Sequence, residues 1–120
     1  MKGSDALIVA SPVHYGSDSG AITTFLDRAF FVGYNPKHKI FSHKPAFAIV
    51  NARRAGTTAA LDQLNKYFMI SQMPVISGRY WNNIHGWTPQ DVTQDKEGLQ
   101  NLKVVTRNMI YHLKMQELAR

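Results

Sequence analysis

Residues 6–20, ALIVASPVHYGSDSG, constrain the fold of this chain more than any other stretch. The apolar run Ala6–Ala10 has polar or turn-forming residues on both sides, which is typical of a strand buried on both faces of a parallel sheet. After a turn, three candidate helix N-caps precede an amphipathic run: Ser17, Asp18 and Ser19. The stretch therefore predicts a central strand, a loop at 11–19 and a helix.

The same order of apolar run, polar loop and amphipathic run occurs twice more along the chain. The apolar runs predict strands at 6–10, 45–50 and 73–77, and the amphipathic runs predict helices at 20–33, 57–69 and 96–117. Strands that alternate with helices indicate a parallel sheet with right-handed crossovers. We therefore predict an α/β fold with three layers and an open parallel sheet, in a single domain over residues 1–120.

A sheet of only three apolar strands exposes a long edge and part of each face. Exposed edges and large apolar patches are usually covered by another chain. We therefore expect a homo-oligomer, either a dimer or a tetramer, in which a second copy covers the edge of the first strand.

Composition excludes several kinds of chemistry. The 120 residues contain no cysteine, so disulfides, thiolate zinc sites and a cysteine nucleophile are excluded, and redox chemistry would need a bound cofactor. His38, His43 and His112 are scattered without metal-ligand spacing, so no metal site is predicted. No apolar run approaches the roughly 20 residues of a membrane span, and no signal-peptide pattern is visible, so we predict a cytoplasmic protein.

The chain carries 14 Lys and Arg residues against 8 Asp and Glu, a formal net charge of +6. The basic residues are dispersed except for one group in a connecting segment, formed by Lys37, His38, Lys39, His43 and Lys44. A solvated loop is the favoured interpretation, followed by a small phosphate-bearing ligand, and nucleic acid is not predicted as a partner.

Three predicted loops, 11–19, 51–57 and 78–86, would meet at one end of the sheet, where ligands of such folds bind. The first offers backbone amides beside a helix N-terminus, the second offers Arg53 and Arg54, and the third offers flat rings and amide side chains. A planar, partly apolar ligand that gains negative charge suits this set better than a free phosphate or a metal.

Each candidate also has a plainer interpretation. His14 could tune such a ligand or be a loop histidine without a role, and the two arginines could meet a nucleotide phosphate or lie on a solvated loop. Tyr80 and Trp81 could flank a ring, but aromatic residues after a strand are more often core or interface residues, and we slightly favour the interface.

The run ASPVHYGSDSGAITTFLDR resembles the flavin-contacting segment of the NAD(P)H-dependent FMN reductases and the multimeric flavodoxin-like quinone reductases. In those families a Ser-Pro-Val-Tyr-Tyr-Gly type of loop precedes Ser-Gly and a helix with Phe-Leu-Asp-Arg. The later stretches NARRAGTTAALDQL and SGRYWNNIHG are similar to the next two flavin-edge loops. The resemblance implies a flavodoxin-like fold, bound FMN and NAD(P)H as electron donor.

The resemblance also implies which residues would contact FMN. The first loop would hold the pyrimidine edge of the ring, the second would border it and the third would close the far side. The residues are Ser11, Pro12, Val13, His14, Tyr15 and Gly16; Asn51, Ala52, Arg53 and Gly56; and Tyr80, Trp81 and His85. Hydride would pass from the nicotinamide through the flavin to a quinone, azo or similar acceptor, and no catalytic acid–base residue is required.

Two departures from the families accompany the resemblance. Position 14 is His where Tyr or Phe is usual, and the strand, phosphate loop, helix and second strand that should precede residue 6 have only five residues in their place. The chain therefore resembles the last three β-α units of the fold, and weak FMN binding is expected. The alternative is a module without flavin that serves only to form oligomers or to bind a partner.

Overall fold

The computed structural model describes residues 1–35, 37 and 39–120 of the chain, so Pro36 and His38 of the basic segment lie outside the described residues. The elements in chain order are β1 Leu7–His14, β2 Ser17–Asp18, α1 Gly20–Gly33, β3 Ala46–Ala52, α2 Thr57–Ile70, β4 Asn83–His85, α3 Pro89–Val92 and α4 Lys96–Leu118. The three predicted helices are confirmed as α1, α2 and α4.

The strands form one sheet with the order β2-β1-β3-β4. β1 and β3 are parallel, with Leu7 opposite Ala46 and Pro12 opposite Asn51, and β3 and β4 are also parallel. β2 pairs antiparallel with the last two residues of β1. The predicted α/β class with a parallel sheet is therefore confirmed, with a fourth strand and a short extra helix.

Helices cover the sheet from both sides, which gives the predicted three layers. On one face, α1 and α2 pack on β1 and β3 through a core that includes Leu26, Phe30, Leu64, Phe68 and Val50. On the other face, Val105 and Met109 of α4 pack on Phe47 of β3. The most buried strand is thus β3, since five of its seven residues are buried.

The prediction that the first strand is central and buried on both faces is wrong. Over residues 7–12 the strand pairs only with β3 among the described residues, and its exposure alternates. Val9 and Ser11 face the α1–α2 side and are buried, whereas Ile8 on the opposite face is 53% exposed. The physical reason is that α4 packs over β3 and leaves this part of β1 uncovered.

The predicted strand at 73–77 is also wrong. This segment makes a single parallel bridge, between Val75 and Ala46, flanked by two hydrogen bonds to the same residue of β3. The third parallel strand is instead β4, within the segment predicted as a loop. Pro74 lacks a backbone donor, and after Ile76 the chain leaves the sheet and rejoins it at Asn83.

The predicted loop at 11–19 is mostly regular structure, so that prediction is wrong as well. β1 continues through residues 11–14 and turns at Tyr15-Gly16 into β2. Ser19 is the N-cap residue of α1, but its side chain makes no capping hydrogen bond. Ser17 and Asp18 are strand residues, so neither caps the helix, and only Ser17 of the three makes a side-chain hydrogen bond among the described residues, to Gln63. Among the described residues, no helix is long and apolar enough to cross a membrane.

Candidate functional site

The first part of the candidate site is a β-hairpin, defined here as residues 13–18. Its two turn residues, Tyr15 and Gly16, have positive φ angles of 52° and 74°, as in the tight two-residue turns that match the twist of paired strands. The Tyr15 side chain is fully exposed. Ser17 donates a 2.7 Å hydrogen bond to Gln63 Oε1 of α2, which ties the hairpin to the helix behind it. The hairpin therefore exposes the Tyr15 ring at its tip, while its base is anchored to α2.

Ser11 and Asp18 lie at the base of this hairpin and are both buried. The Ser11 hydroxyl donates to Pro12 O at 2.9 Å and accepts from the Ser19 N–H at 3.0 Å, so it joins β1 to the start of α1. Asp18 is 6% exposed, and neither of its carboxylate oxygens has a hydrogen-bond partner. Burial raises the pKa of Asp18 to about 6, because the charged form loses hydration without compensation.

The second part is the segment after β3, residues 51–56, and it contacts the hairpin directly. Gly56 has a φ of 93°, and a Cβ there would lie 2.8 Å from Val13 Cγ1 and 2.9 Å from Gly16 Cα. Only a glycine fits both the backbone angle and this close approach. Arg53 places its guanidinium 4.9 Å from the ring centre of Trp87, a cation–π contact.

The third part is the segment 79–85, which ends in β4. His85 lies opposite Ala52, and the Asn51 amide donates to Ile84 O at 3.2 Å, so segments two and three are joined at the same edge of the sheet. The His85 N–H donates to Asp95 Oδ2 at 2.8 Å, and His85 Nδ1 lies 3.9 Å from the same oxygen. The carboxyl ends of β1, β3 and β4 therefore bring the three predicted segments together.

Tyr80 and Trp81 lie before β4 rather than after it. Their rings are 4.7 Å apart in an edge-on arrangement, and each residue is 55% exposed, which excludes a core role. They share a cavity of about 160 Å³ with Asn83, His85, Asp95, Glu97, Gly98 and Asn101. No hydrogen bond or aromatic contact among the described residues joins them to the hairpin. Tyr80 and Trp81 therefore lie beside His85 and the start of α4, whereas the contact with the hairpin is made by Gly56 of the second segment.

Sequence reasoning missed three residues of this region: Trp87, Asp95 and Asn101. Asp95 is the N-cap of α4 and accepts from the Gly98 N–H at 2.9 Å, a position that its spacing before the final amphipathic run could have indicated. Asn101 is a polar residue in the buried stripe of α4 formed by Gly98, Asn101, Val105 and Met109. A polar residue within an apolar stripe was the available signal.

The comparisons with known proteins concern the family and the fold of the chain. The sequence pattern of the NADPH-dependent FMN reductases matches residues 1–88. Two iron–sulfur flavoproteins of Methanocaldococcus jannaschii are similar to the chain: one is 30% identical over 117 residues and the other 26% identical over 110 residues. These matches cover 91% and 86% of this chain and 59% and 55% of the relatives, so the chain spans little more than half of their length.

Solved structures support the same fold. The flavodoxin, WrbA-like protein of Agrobacterium tumefaciens superposes with a TM-score of 0.65 at 16% identity, over 89% of this chain and 69% of that one. The rubredoxin oxygen:oxidoreductase of Desulfovibrio gigas superposes with a TM-score of 0.55 at 18% identity, over 92% of this chain and 24% of that one. The solved structures show that the fold is flavodoxin-like, and the sequence match over residues 1–88 shows that this chain belongs to the NADPH-dependent FMN reductase family.

Proposed function

We propose that this chain binds the isoalloxazine ring of FMN at the carboxyl edge of its sheet and acts as an NAD(P)H-dependent oxidoreductase. The observation that carries the proposal is the gathering of the three ring-contacting segments, with Gly56 against the hairpin and Asn51 joined to β4. Bound FMN would supply the hydride chemistry, with NADH or NADPH as donor and a quinone, azo or similar compound as acceptor.

The residues at this edge fit a flat, partly apolar ligand. Four aromatic side chains lie there more than half exposed, which is unusual for residues with so much apolar surface: Tyr15, Tyr80, Trp81 and Trp87. Such rings can stack on or flank an aromatic ligand, and aromatic pairs contribute beyond the area that they bury. Arg53 beside Trp87 adds a positive charge at the same edge, which favours a ligand that gains negative charge on reduction.

We further propose that ring contacts dominate the affinity of these 120 residues for flavin. By the resemblance, the three segments of the site contact the ring, and none of their residues is assigned to the FMN phosphate. About three charge-assisted hydrogen bonds to a phosphate, each worth roughly 1.5–3 kcal/mol, would strengthen binding about a thousandfold or more, and ring contacts alone lack that gain. The chain should then bind FMN weakly and distinguish it poorly from riboflavin.

The test is a titration of FMN and of riboflavin, followed by quenching of flavin fluorescence. The expected result is weak binding with similar dissociation constants for the two flavins. Trp81→Ala should weaken both, whereas Phe31→Ala, which removes an even more exposed ring near the far end of α1, should leave both unchanged. Nanomolar FMN affinity with much weaker riboflavin binding would contradict the proposed dominance of ring contacts, and no binding of either would contradict the flavin proposal itself.

The iron–sulfur cluster named in the two relatives does not transfer to this chain. Iron–sulfur clusters are held by cysteine thiolates, and the 120 residues contain none. The donor set therefore does not fit a cysteine-ligated cluster, and we propose no electron transfer through one.

A second candidate function is oligomer formation or partner binding without flavin. It is favoured by the edge of β1 over residues 7–12, which pairs with no other strand among the described residues, and by Ile8 beside it, which is 53% exposed. Exposed edges pair readily with another strand, so we also propose that the chain self-associates as a dimer or tetramer. Sedimentation equilibrium at micromolar concentration should show the oligomer. A monomer would contradict self-association without affecting the flavin titration.

A further inference from the structure

Residues 79–82, which include Tyr80 and Trp81, form an excursion from the sheet. Ala46 of β3 is bridged to Val75, and Val50 of β3 pairs with Asn83. Between these two points β3 is four residues long, whereas the neighbouring segment is eight residues long. The excess chain leaves the ladder of backbone hydrogen bonds. Its N–H and C=O groups therefore need other partners, because unpaired backbone groups are costly when they are shielded from water.

Asn101 of α4 supplies those partners. The residue is 4% exposed, and its Oδ1 accepts from the N–H groups of Arg79 at 2.7 Å and Tyr80 at 3.0 Å. Its Nδ2 donates to Tyr80 O at 3.0 Å, to Trp81 O at 3.2 Å and to Asn82 Oδ1 at 3.2 Å. An asparagine amide has two acceptor lone pairs and two donor hydrogens, so both lone pairs are used and three acceptors share the two hydrogens.

The surroundings of Asn101 leave it little freedom. A Cβ on Gly78 would lie 2.4 Å from Asn101 Oδ1, so the chain can pass this close only because residue 78 is glycine. The helix fixes the backbone of Asn101, and Val105 and Met109 on the same stripe are packed in the core. The packing of α4 in the core therefore fixes the position of Asn101, and the Asn101 amide in turn bonds the backbone of the excursion.

We propose that Asn101 is a positioning residue for the flavin site, which fixes the backbone of Tyr80 and Trp81 and thereby aims their rings at the ligand. Both rings are more than half exposed, so core packing does not orient them. The Asn101 contacts fix their backbone, together with the Asn83 N–H, which donates to Trp81 O at 2.8 Å. Asn101 lies beyond the segment that matches the family, residues 1–88. The inference rests on the proposed flavin site.

The test uses Asn101→Asp, which is nearly isosteric, keeps the acceptor and loses both donor hydrogens. The carboxylate would face the carbonyl oxygens of Tyr80 and Trp81, so the aromatic pair should shift. Asn108→Asp is the matched control, because Asn108 lies on the same helix and donates to Ser77 O from an exposed position. Near-ultraviolet circular dichroism reports the aromatic side chains, Tyr80 and Trp81 among them, without any flavin, and riboflavin quenching reports the site.

We expect Asn101→Asp to change the aromatic dichroism and to weaken riboflavin binding roughly tenfold, as the loss of one or two net hydrogen bonds would do, while far-ultraviolet dichroism stays unchanged. In a Trp81→Ala background the same substitution should cost much less affinity, because the residue acts through that ring. A changed dichroism with unchanged riboflavin affinity, or an equal loss in both backgrounds, would overturn the proposal. Absence of riboflavin binding by the native chain would overturn the proposed function and this inference with it.

If Asn101→Asp does not fold, the native chain decides the question by amide exchange. The Arg79 and Tyr80 N–H groups, which donate to Asn101, should exchange more slowly when riboflavin is bound. Unchanged exchange of these two groups, with slowed exchange at the hairpin, would show that the ligand is held without the excursion and would overturn the inference.

Discussion

The hairpin at 13–18 and the excursion at 79–82 lie in the same candidate site but are held in different ways. The hairpin is held by its own backbone pairs, Val13 with Asp18 and His14 with Ser17, and by a turn with two positive φ angles. The excursion has two backbone hydrogen bonds near its end, at Trp81 O and Asn82 O, and between Arg79 and Trp81 it depends on one asparagine side chain from a helix about twenty residues further along the chain. Local backbone pairing resists single side-chain changes, whereas a segment held by one amide depends on that amide.

The largest expected effect comes from the point where the hairpin meets the rest of the site. Gly56→Ala adds a Cβ within 3 Å of Val13 and Gly16 at a φ of 93°. Strain at positive φ and overpacking together should destabilise the chain by about 3–4 kcal/mol. Urea unfolding measures the change. Gly20→Ala is the control, since nothing lies within 4 Å of its Cβ position, and an equally large loss there would contradict the contact argument.

The next largest effect on stability is expected at Asp18, which lies at the base of the hairpin. Its pKa is raised from 3.8 to about 6, so in the folded chain it retains its proton up to a higher pH than in the unfolded chain. Between about pH 4 and 6 the unfolded state releases that proton first, and stability therefore falls as the pH rises through this window and is constant above it. A shift of about 2 units corresponds to at most about 3 kcal/mol.

Asp18→Asn should therefore stabilise the chain by about 2 kcal/mol above pH 7 and should have little effect below pH 4, because the buried amide carries no charge. Denaturant unfolding at pH 4, 6 and 8 measures the change. Asp62→Asn on the exposed face of α2 is the control. A gain that is equal at all three pH values would contradict the titration argument.

On the side of the excursion, Asp95 links the start of α4 to the end of β4. Asp95→Ala removes the N-cap bond to Gly98 and the bond from the His85 N–H. Loss of the cap and of one partly buried hydrogen bond should cost about 1–2 kcal/mol and should speed amide exchange at His85. Asp91→Ala, which removes the capping box of α3, should leave exchange at His85 unchanged.

The same contrast explains which features could be predicted from the sequence. The three long helices and the parallel pairing of β1 with β3 depend on periodicity and apolar runs, which are local signals. The run at 73–77 has strand composition but makes one bridge, and β4 reads as a polar loop because only Ile84 of its three residues is apolar. The pairing of β4 depends on its register against β3 and on the Asn101 hydrogen bonds, and both involve residues that are distant in sequence.

The hairpin was missed for a different reason. Tyr15-Gly16 follows a proline and precedes several cap-forming residues, so the segment resembles a loop. Tyrosine is also an unusual first residue for a turn with positive φ at both positions, where Asn or Asp is preferred. The candidate site residues of this segment could be named from the resemblance, but the strand that carries them could not be derived from local pattern.

Tyr15 gives the smallest stability change and the sharpest contrast between stability and binding. Its φ of 52° is strained for an exposed aromatic residue and is well suited to asparagine, so Tyr15→Asn should stabilise the chain by about 0.5 kcal/mol. If the exposed ring contacts flavin as proposed, the same substitution should weaken riboflavin binding several-fold. Thermal unfolding and the fluorescence titration measure the two effects on one sample.

Gly16→Asn tests the turn alone, because it changes the neighbouring positive-φ residue while Tyr15 stays in place. A more stable Tyr15→Asn chain that binds riboflavin as tightly as the native one would show that the hairpin tip lies outside the ligand site.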